Sequence, residues 1–169
     1  WSMLRLPFRA WSRYRKRQGR ARLLEGLRAL KAGHWQRAER LLATTAGDAQ
    51  SGAIALAAAV RAADGRGDPA AAQRWLTALA PRDPTAHALL LGERLLEAGQ
   101  PRQAIEALDV AAAQPLPPRG LLLRARALAA AGLGGEAYGL LGALRQQGAL
   151  PPAKLQQLEI ELATACLRE

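Results

Sequence analysis

A chain of 169 residues with a formal net charge of +10 has room for one domain or one short array of repeats. Ala and Leu supply most of its hydrophobic half, Val and Ile are scarce and only seven residues are aromatic, which excludes a sheet protein and favours helices. A single Cys, Cys166, excludes an internal disulfide framework and any multi-cysteine metal site. No apolar run approaches the roughly 18 residues a membrane-spanning helix needs, and no signal-peptide pattern opens the chain. The first residue is Trp1 rather than Met, which reads as a piece of a longer protein.

The charge is concentrated at the start. Residues 1–24 hold Arg5, Arg9, Arg13, Arg15, Lys16, Arg17, Arg20 and Arg22 and no acid, which leaves the remainder at a net of only +2. At helical spacing Trp1, Leu4, Phe8 and Trp11 share one sector, while Arg5, Arg9, Arg13, Lys16 and Arg20 share another. A plain solvated face is the alternative to a binding function. Aromatics beside a basic stripe suit the headgroup layer of an anionic bilayer, each cation near the surface contributing roughly 1 kcal/mol. The pattern also suits a phosphate backbone. Pro7 limits the helix toward the N-terminus. The expected membrane-surface residues are Trp1, Arg5, Phe8, Arg9, Trp11, Arg13, Arg15, Lys16 and Arg17.

From there on the chain repeats. Gly33, Gly67, Gly99 and Gly132 are each followed five residues later by Ala38, Ala72, Ala104 and Ala137, and four further on by Leu42, Leu76, Leu108 and Leu141. Twelve residues before each Ala stand Gly26, Val60, Gly92 and Ala125. A period near 34 residues with small side chains at fixed offsets predicts paired antiparallel helices. Each Gly ends a first helix in the left-handed conformation, each Ala admits the second helix closely, and each Leu fills the core beneath.

The spacing predicts helices near 9–32, 34–46, 52–65, 69–80, 84–98, 101–113, 119–131, 134–147 and 152–168. Asp68-Pro69 and Asp83-Pro84 read as a cap followed by Pro in the first turn, with Gln100-Pro101 a weaker version. Pro115, Pro117 and Pro118, and later Pro151 and Pro152, enforce breaks. The organisation expected is a basic aromatic segment over 1–24, four repeats over 20–147 (about 20–46, 51–80, 84–113 and 118–147), and a terminal helix over 151–169.

This pattern resembles the tetratricopeptide repeat. Gly26 and Gly92 match the small residue of the motif's first helix, Ala38, Ala72, Ala104 and Ala137 that of its second, Ala111 a later small position and Pro84 the closing proline. Arg22, Leu56, Ala88 and Leu121 depart from it where the motif often carries Trp, and the fourth repeat is rich in Gly134, Gly135, Gly139 and Gly142. The fold implied is all-α, with antiparallel helix pairs stacked in a right-handed superhelix behind a basic N-terminal helix.

A narrower resemblance starts at Leu4-Arg5-Leu6-Pro7, continues through Trp11 and the basic run, and is most specific over RARLLEGLRALKAGHWQRAERLL at 20–42. With IALAAAVRAADGRGD at 54–68 and ERLLEAGQPRQAIEAL at 93–108, it is similar to the HemY family of bacterial inner-membrane proteins. The resemblance implies transmembrane helices upstream, further repeats downstream and an association with protoheme synthesis. It does not extend to the flavin-dependent oxidase that shares the name. Gly132, Gly134 and Ala137 do spell G-x-G-x-x-A, but they follow a helical stretch rather than a strand and belong to the repeat.

No catalytic constellation has a recognisable spacing, so the expectation is a protein without enzymatic activity, cofactor or metal. His34 falls in a turn and His87 in a first helical turn, while Cys166 reads as a small hydrophobe. Only the pathway implied by the resemblance raises His34, His87, Cys166, Tyr14 or Tyr138 as heme ligands. The first helix of each pair lines the concave wall of such repeats, so the expected groove residues are Leu23, Leu27, Ile54, Arg61, Leu89, Glu93, Leu96, Leu122 and Arg126, with Arg20, Ala57 and Asp64 beside them. The carboxylate clamp common in this fold is absent, because the chain has no Asn.

The function expected is a protein–protein interaction scaffold at the cytoplasmic face of the inner membrane. Its partners would be an anionic membrane surface and proteins that include enzymes of the heme pathway. An adaptor in envelope assembly is the nearest alternative. A nucleic-acid-binding repeat protein is the more distant one, because Arg61, Glu93 and Arg126 do not form a base-reading series.

Overall fold

Every repeat turns on the same joint. In the computed structural model, which describes residues 6–111, 116–148 and 150–167 and side chains from Gln18 on except that of Ala111, Gly33, Gly67, Gly99 and Gly132 have φ between 72° and 78°. Only glycine adopts that left-handed conformation without crowding its own Cβ. It lets the next residue reach back five positions to an otherwise unpaired helix carbonyl. His34 N–H donates to Ala29 O at 2.9 Å, Asp68 to Ala63 at 3.0 Å, Gln100 to Leu95 at 2.8 Å and Leu133 to Leu128 at 2.9 Å. The carbonyls of those same four residues then accept from Ala38, Ala72, Ala104 and Ala137, starting the second helix at once.

The described elements are all helical: α1 (Leu6–Lys31), α2 (Trp35–Ala43), α3 (Gly52–Gly65), α4 (Pro69–Leu79), α5 (Pro84–Glu97), α6 (Pro101–Ala111), α7 (Pro118–Ala130), α8 (Gly134–Gly139), α9 (Leu141–Gln146) and α10 (Pro152–Cys166). Sequential helices pack as antiparallel pairs, α1 with α2, α3 with α4, α5 with α6 and α7 with α8. The chain divides into two compact units, residues 1–83 and 84–169.

The helix bounds differ most from those the sequence predicts at three places. The first helix is already formed at Leu6, the first described residue, rather than from near 9. The second ends at Ala43 rather than 46, where the Thr44 and Thr45 hydroxyls donate to Leu41 O and Leu42 O at 2.7 and 2.9 Å. The helix predicted over 134–147 is interrupted at Leu140, whose N–H reaches only three residues back, to Ala137 O at 3.2 Å. Gly139 and Gly142 flank that point, and each weakens the helix by about 1 kcal/mol relative to Ala. From Leu6 on, the basic segment is part of α1, which runs without interruption into the first pair.

Ala38, Ala72, Ala104 and Ala137 are fully buried, as are Leu42, Leu76 and Leu108. Opposite them the first helices are small for a steric reason. A Cβ on Gly26 would lie 2.9 Å from Leu42 Cγ, and one on Gly92 would lie 3.2 Å from Leu108 Cγ. In unit one the core joins Ala29, Ala38, Leu42, Ala55, Ala58, Ala59 and Ala62, with Leu23, Leu27, Leu30 and Trp75 against it. In unit two it joins Ala125, Leu128, Ala137, Leu141, Leu144, Leu158 and Leu162, so α10 is part of the core and not an appendage. Each fully buried Leu contributes roughly 1.5–3 kcal/mol.

Candidate functional site

Polar side chains lock the pairs of unit one together. Glu39 on α2, with its side chain only 13% exposed, accepts from Trp75 Nε1 on α4 at 2.9 Å and meets Arg66 Nη2 at 3.0 Å. Arg66 also pairs with Asp68 at 2.7 Å, and the other Asp68 oxygen caps α4 by accepting from Ala71 N–H at 2.8 Å. Trp35 lies across Gly65, where an added Cβ would fall 2.7 Å from Trp35 Cδ2. At the turn before α3, Asp48 Oδ2 accepts from the Ser51 N–H at 2.9 Å and the Ser51 hydroxyl at 2.6 Å.

Of the residues expected to line a groove, Leu23 and Leu27 are half-buried and contribute to the core of unit one. Arg20 and Leu23 border a hollow of about 210 Å³ with Asp48, Gln50 and Ser51. Ile54 is 55% exposed and Arg61 is exposed on α3. Leu24, 54% exposed on α1, was not expected there; its only sequence signal is its place beside Leu23 and Leu27. Leu89 and Leu96 are half-buried on α5, and Leu89 packs near Gly120 of α7. Glu93 is committed to an ion pair with Arg119, which ties α5 to α7.

Leu122 and Arg126 meet in unit two, in a hollow of about 200 Å³ between α7 and α10 that Leu150, Lys154, Gln157, Leu158 and Glu161 complete. Sequence reasoning missed the α10 side of this hollow because it gave the terminal helix, a cap or the start of a further repeat, no part in a groove. The signal was present in Lys154, Gln157, Leu158 and Glu161, which recur at helical spacing. Arg145 on α9 reaches Glu159 of α10 at 3.2 Å.

The expected membrane-surface residues are less fully described. Trp1 and Arg5 lie outside the described residues; Phe8, Arg9, Trp11, Arg13, Arg15, Lys16 and Arg17 lie on α1, and their side chains lie outside the described ones. No helix among the described residues is long and apolar enough to cross a membrane.

His34 lies exposed in its turn, beside a hollow of about 350 Å³ with Trp35, Gln36 and Arg37. Burial lowers the pKa of His87 below its ordinary value, which favours the neutral ring in the first turn of α5. Cys166 is a half-buried free thiol at the end of α10. Among the described residues no group of three or more His, Cys, Asp or Glu could hold a metal ion.

The architecture defines a class of all-helical proteins built from sequential antiparallel pairs. Within it, residues 1–67 match the family model described as HemY protein N-terminus, so this stretch is a HemY N-terminal domain. The matched stretch takes in the basic segment, the first pair and α3. No curated protein and no solved structure matches the chain.

Proposed function

We propose that this chain is a non-catalytic interaction scaffold held at the cytoplasmic face of a bacterial inner membrane. The observation that carries the reading is the continuity of α1: a segment of eight cations without an acid runs directly into a buried helix pair of a HemY N-terminal domain. A rigid connection of that kind transmits a surface anchor to the body it carries. Juxtamembrane cations favour the cytoplasmic side. The helix pairs are read as tetratricopeptide-like repeats, which coil as a right-handed superhelix and present their first helices to a partner. The left-handed glycines and fully buried alanines at a period near 34 support that reading. The link to protoheme synthesis, with enzymes of that pathway as partners, follows from the family match alone.

The test is co-sedimentation with vesicles rich in phosphatidylglycerol. Removing residues 1–24 would also remove Leu23 from the core, so charge substitution is the cleaner variant. Replacing Arg9, Arg13, Lys16 and Arg17 by Gln is expected to abolish sedimentation at moderate salt, since each cation contributes about 1 kcal/mol at the surface. Undiminished sedimentation of that variant contradicts the tether.

A further inference from the structure

We infer that the hollow between α7 and α10 is a docking notch for one apolar side chain carried on an acidic segment of a partner protein. The inference rests on the scaffold reading and gives it a place and a partner chemistry. Leu122, Leu150 and the buried Leu158 supply apolar lining. Arg126 and Lys154 supply exposed positive charge at the same hollow. Three other cations of this unit are engaged, Arg119 with Glu93, Arg124 with Asp109 and Arg145 with Glu159, while Arg102, which does not line the hollow, has no ion pair among the described residues. Arg126 and Lys154 have no ion pair among the described residues. The one acid lining the hollow, Glu161, accepts from the Gln157 amide at 3.3 Å.

Size and rigidity narrow the occupant further. About 200 Å³ is below the range of about 300–1,000 Å³ typical of small-molecule and cofactor sites, and suits a single leucine- or phenylalanine-sized side chain. Leu158 belongs to the core of unit two, and Leu122 and Leu150 pack against that core, so little ordering of the apolar lining is needed on binding. An apolar anchor in a pre-formed pocket supplies affinity, and the flanking cations select an acidic segment over a basic one.

The probe is a short fluorescein-labelled peptide with one Leu in a Glu-rich background, titrated with the whole chain and read by fluorescence anisotropy. Replacing the peptide's Leu by Ala, or the protein's Arg126 and Lys154 together by Glu, is expected to weaken binding about tenfold or more. Arg102→Glu, an exposed change on α6, is expected to leave binding unchanged. Equal binding of a Lys-rich counterpart, no binding of the Glu-rich peptide, or indifference to R126E/K154E each overturns the notch. Both substitutions are at solvent-exposed positions, and an unchanged helical circular dichroism spectrum separates lost binding from lost folding. The scaffold's membrane tether is read independently by vesicle sedimentation, so failure of the notch and failure of the tether are distinguishable.

Discussion

Glycines with unlike surroundings carry opposite predictions. A Cβ on Gly134 would fall 2.5 Å from the Cys166 backbone nitrogen and 2.7 Å from the Ala165 carbonyl carbon, and backbone cannot swing aside as a side chain can. Gly134→Ala is therefore expected to lower unfolding free energy by about 1–3 kcal/mol in urea titration. Gly139 and Gly142 have nothing within 4 Å of an added Cβ and no positive φ. Gly139→Ala and Gly142→Ala are expected to stabilise the protein by roughly 0.5–1 kcal/mol each. At His87 the relevant perturbation is protonation. Its pKa is lowered by burial in the folded state, so the unfolded chain binds the proton more readily. Stability at this site is full above about pH 6.5 and falls as pH drops from there toward the folded pKa. His87→Gln is expected to flatten that part of a thermal-melt pH profile.

At the scale of the element, the pairs are joined by devices of differing visibility in the sequence. The Gly-to-Ala-to-Leu register was legible because each part acts within one turn and its partners lie a few residues away. Asp68 as a cap was legible for the same reason, and Asp68→Ala is expected to cost about 1 kcal/mol in chemical denaturation. The Glu39–Trp75 bond, 36 residues apart, was not legible because nothing local marks Glu39 as buried. Glu39→Ala strips both Trp75 Nε1 and Arg66 of a shared acceptor and is expected to cost about 1–3 kcal/mol. In the sequence Gly134 is one of four glycines that depart from the repeat, whereas the structure shows a contact with the end of α10 that forbids a side chain. The candidate site divided similarly. Leu122 and Arg126, expected from repeat position, both line the α7–α10 hollow, but Glu93 sits in the same register and is occupied by Arg119, a pairing across helices that spacing does not reveal.

For the whole molecule, the net charge of +10 separates into an arm of eight cations and a remainder close to neutral. The two proposed interactions, one through each part, are expected to answer to distinct perturbations. The proposed binding through the arm is expected to weaken as salt rises, because charges at a surface are screened beyond roughly 10 Å at 0.1 M ionic strength. In the proposed notch only the contribution of the two cations is expected to fall with salt, while that of the buried apolar side chain is expected to persist. The four tryptophans happen to sort by the same division, Trp1 and Trp11 in the arm and Trp35 and Trp75 in the helix pairs. The central claim is that the arm lies in the headgroup layer while the pairs remain outside it. Tryptophan quenching by brominated lipid in anionic vesicles tests this most directly. The account predicts quenching of the unaltered chain that disappears in the Trp1→Phe/Trp11→Phe variant, whose remaining tryptophans belong to the helix pairs. Quenching that persists undiminished in that variant would contradict it.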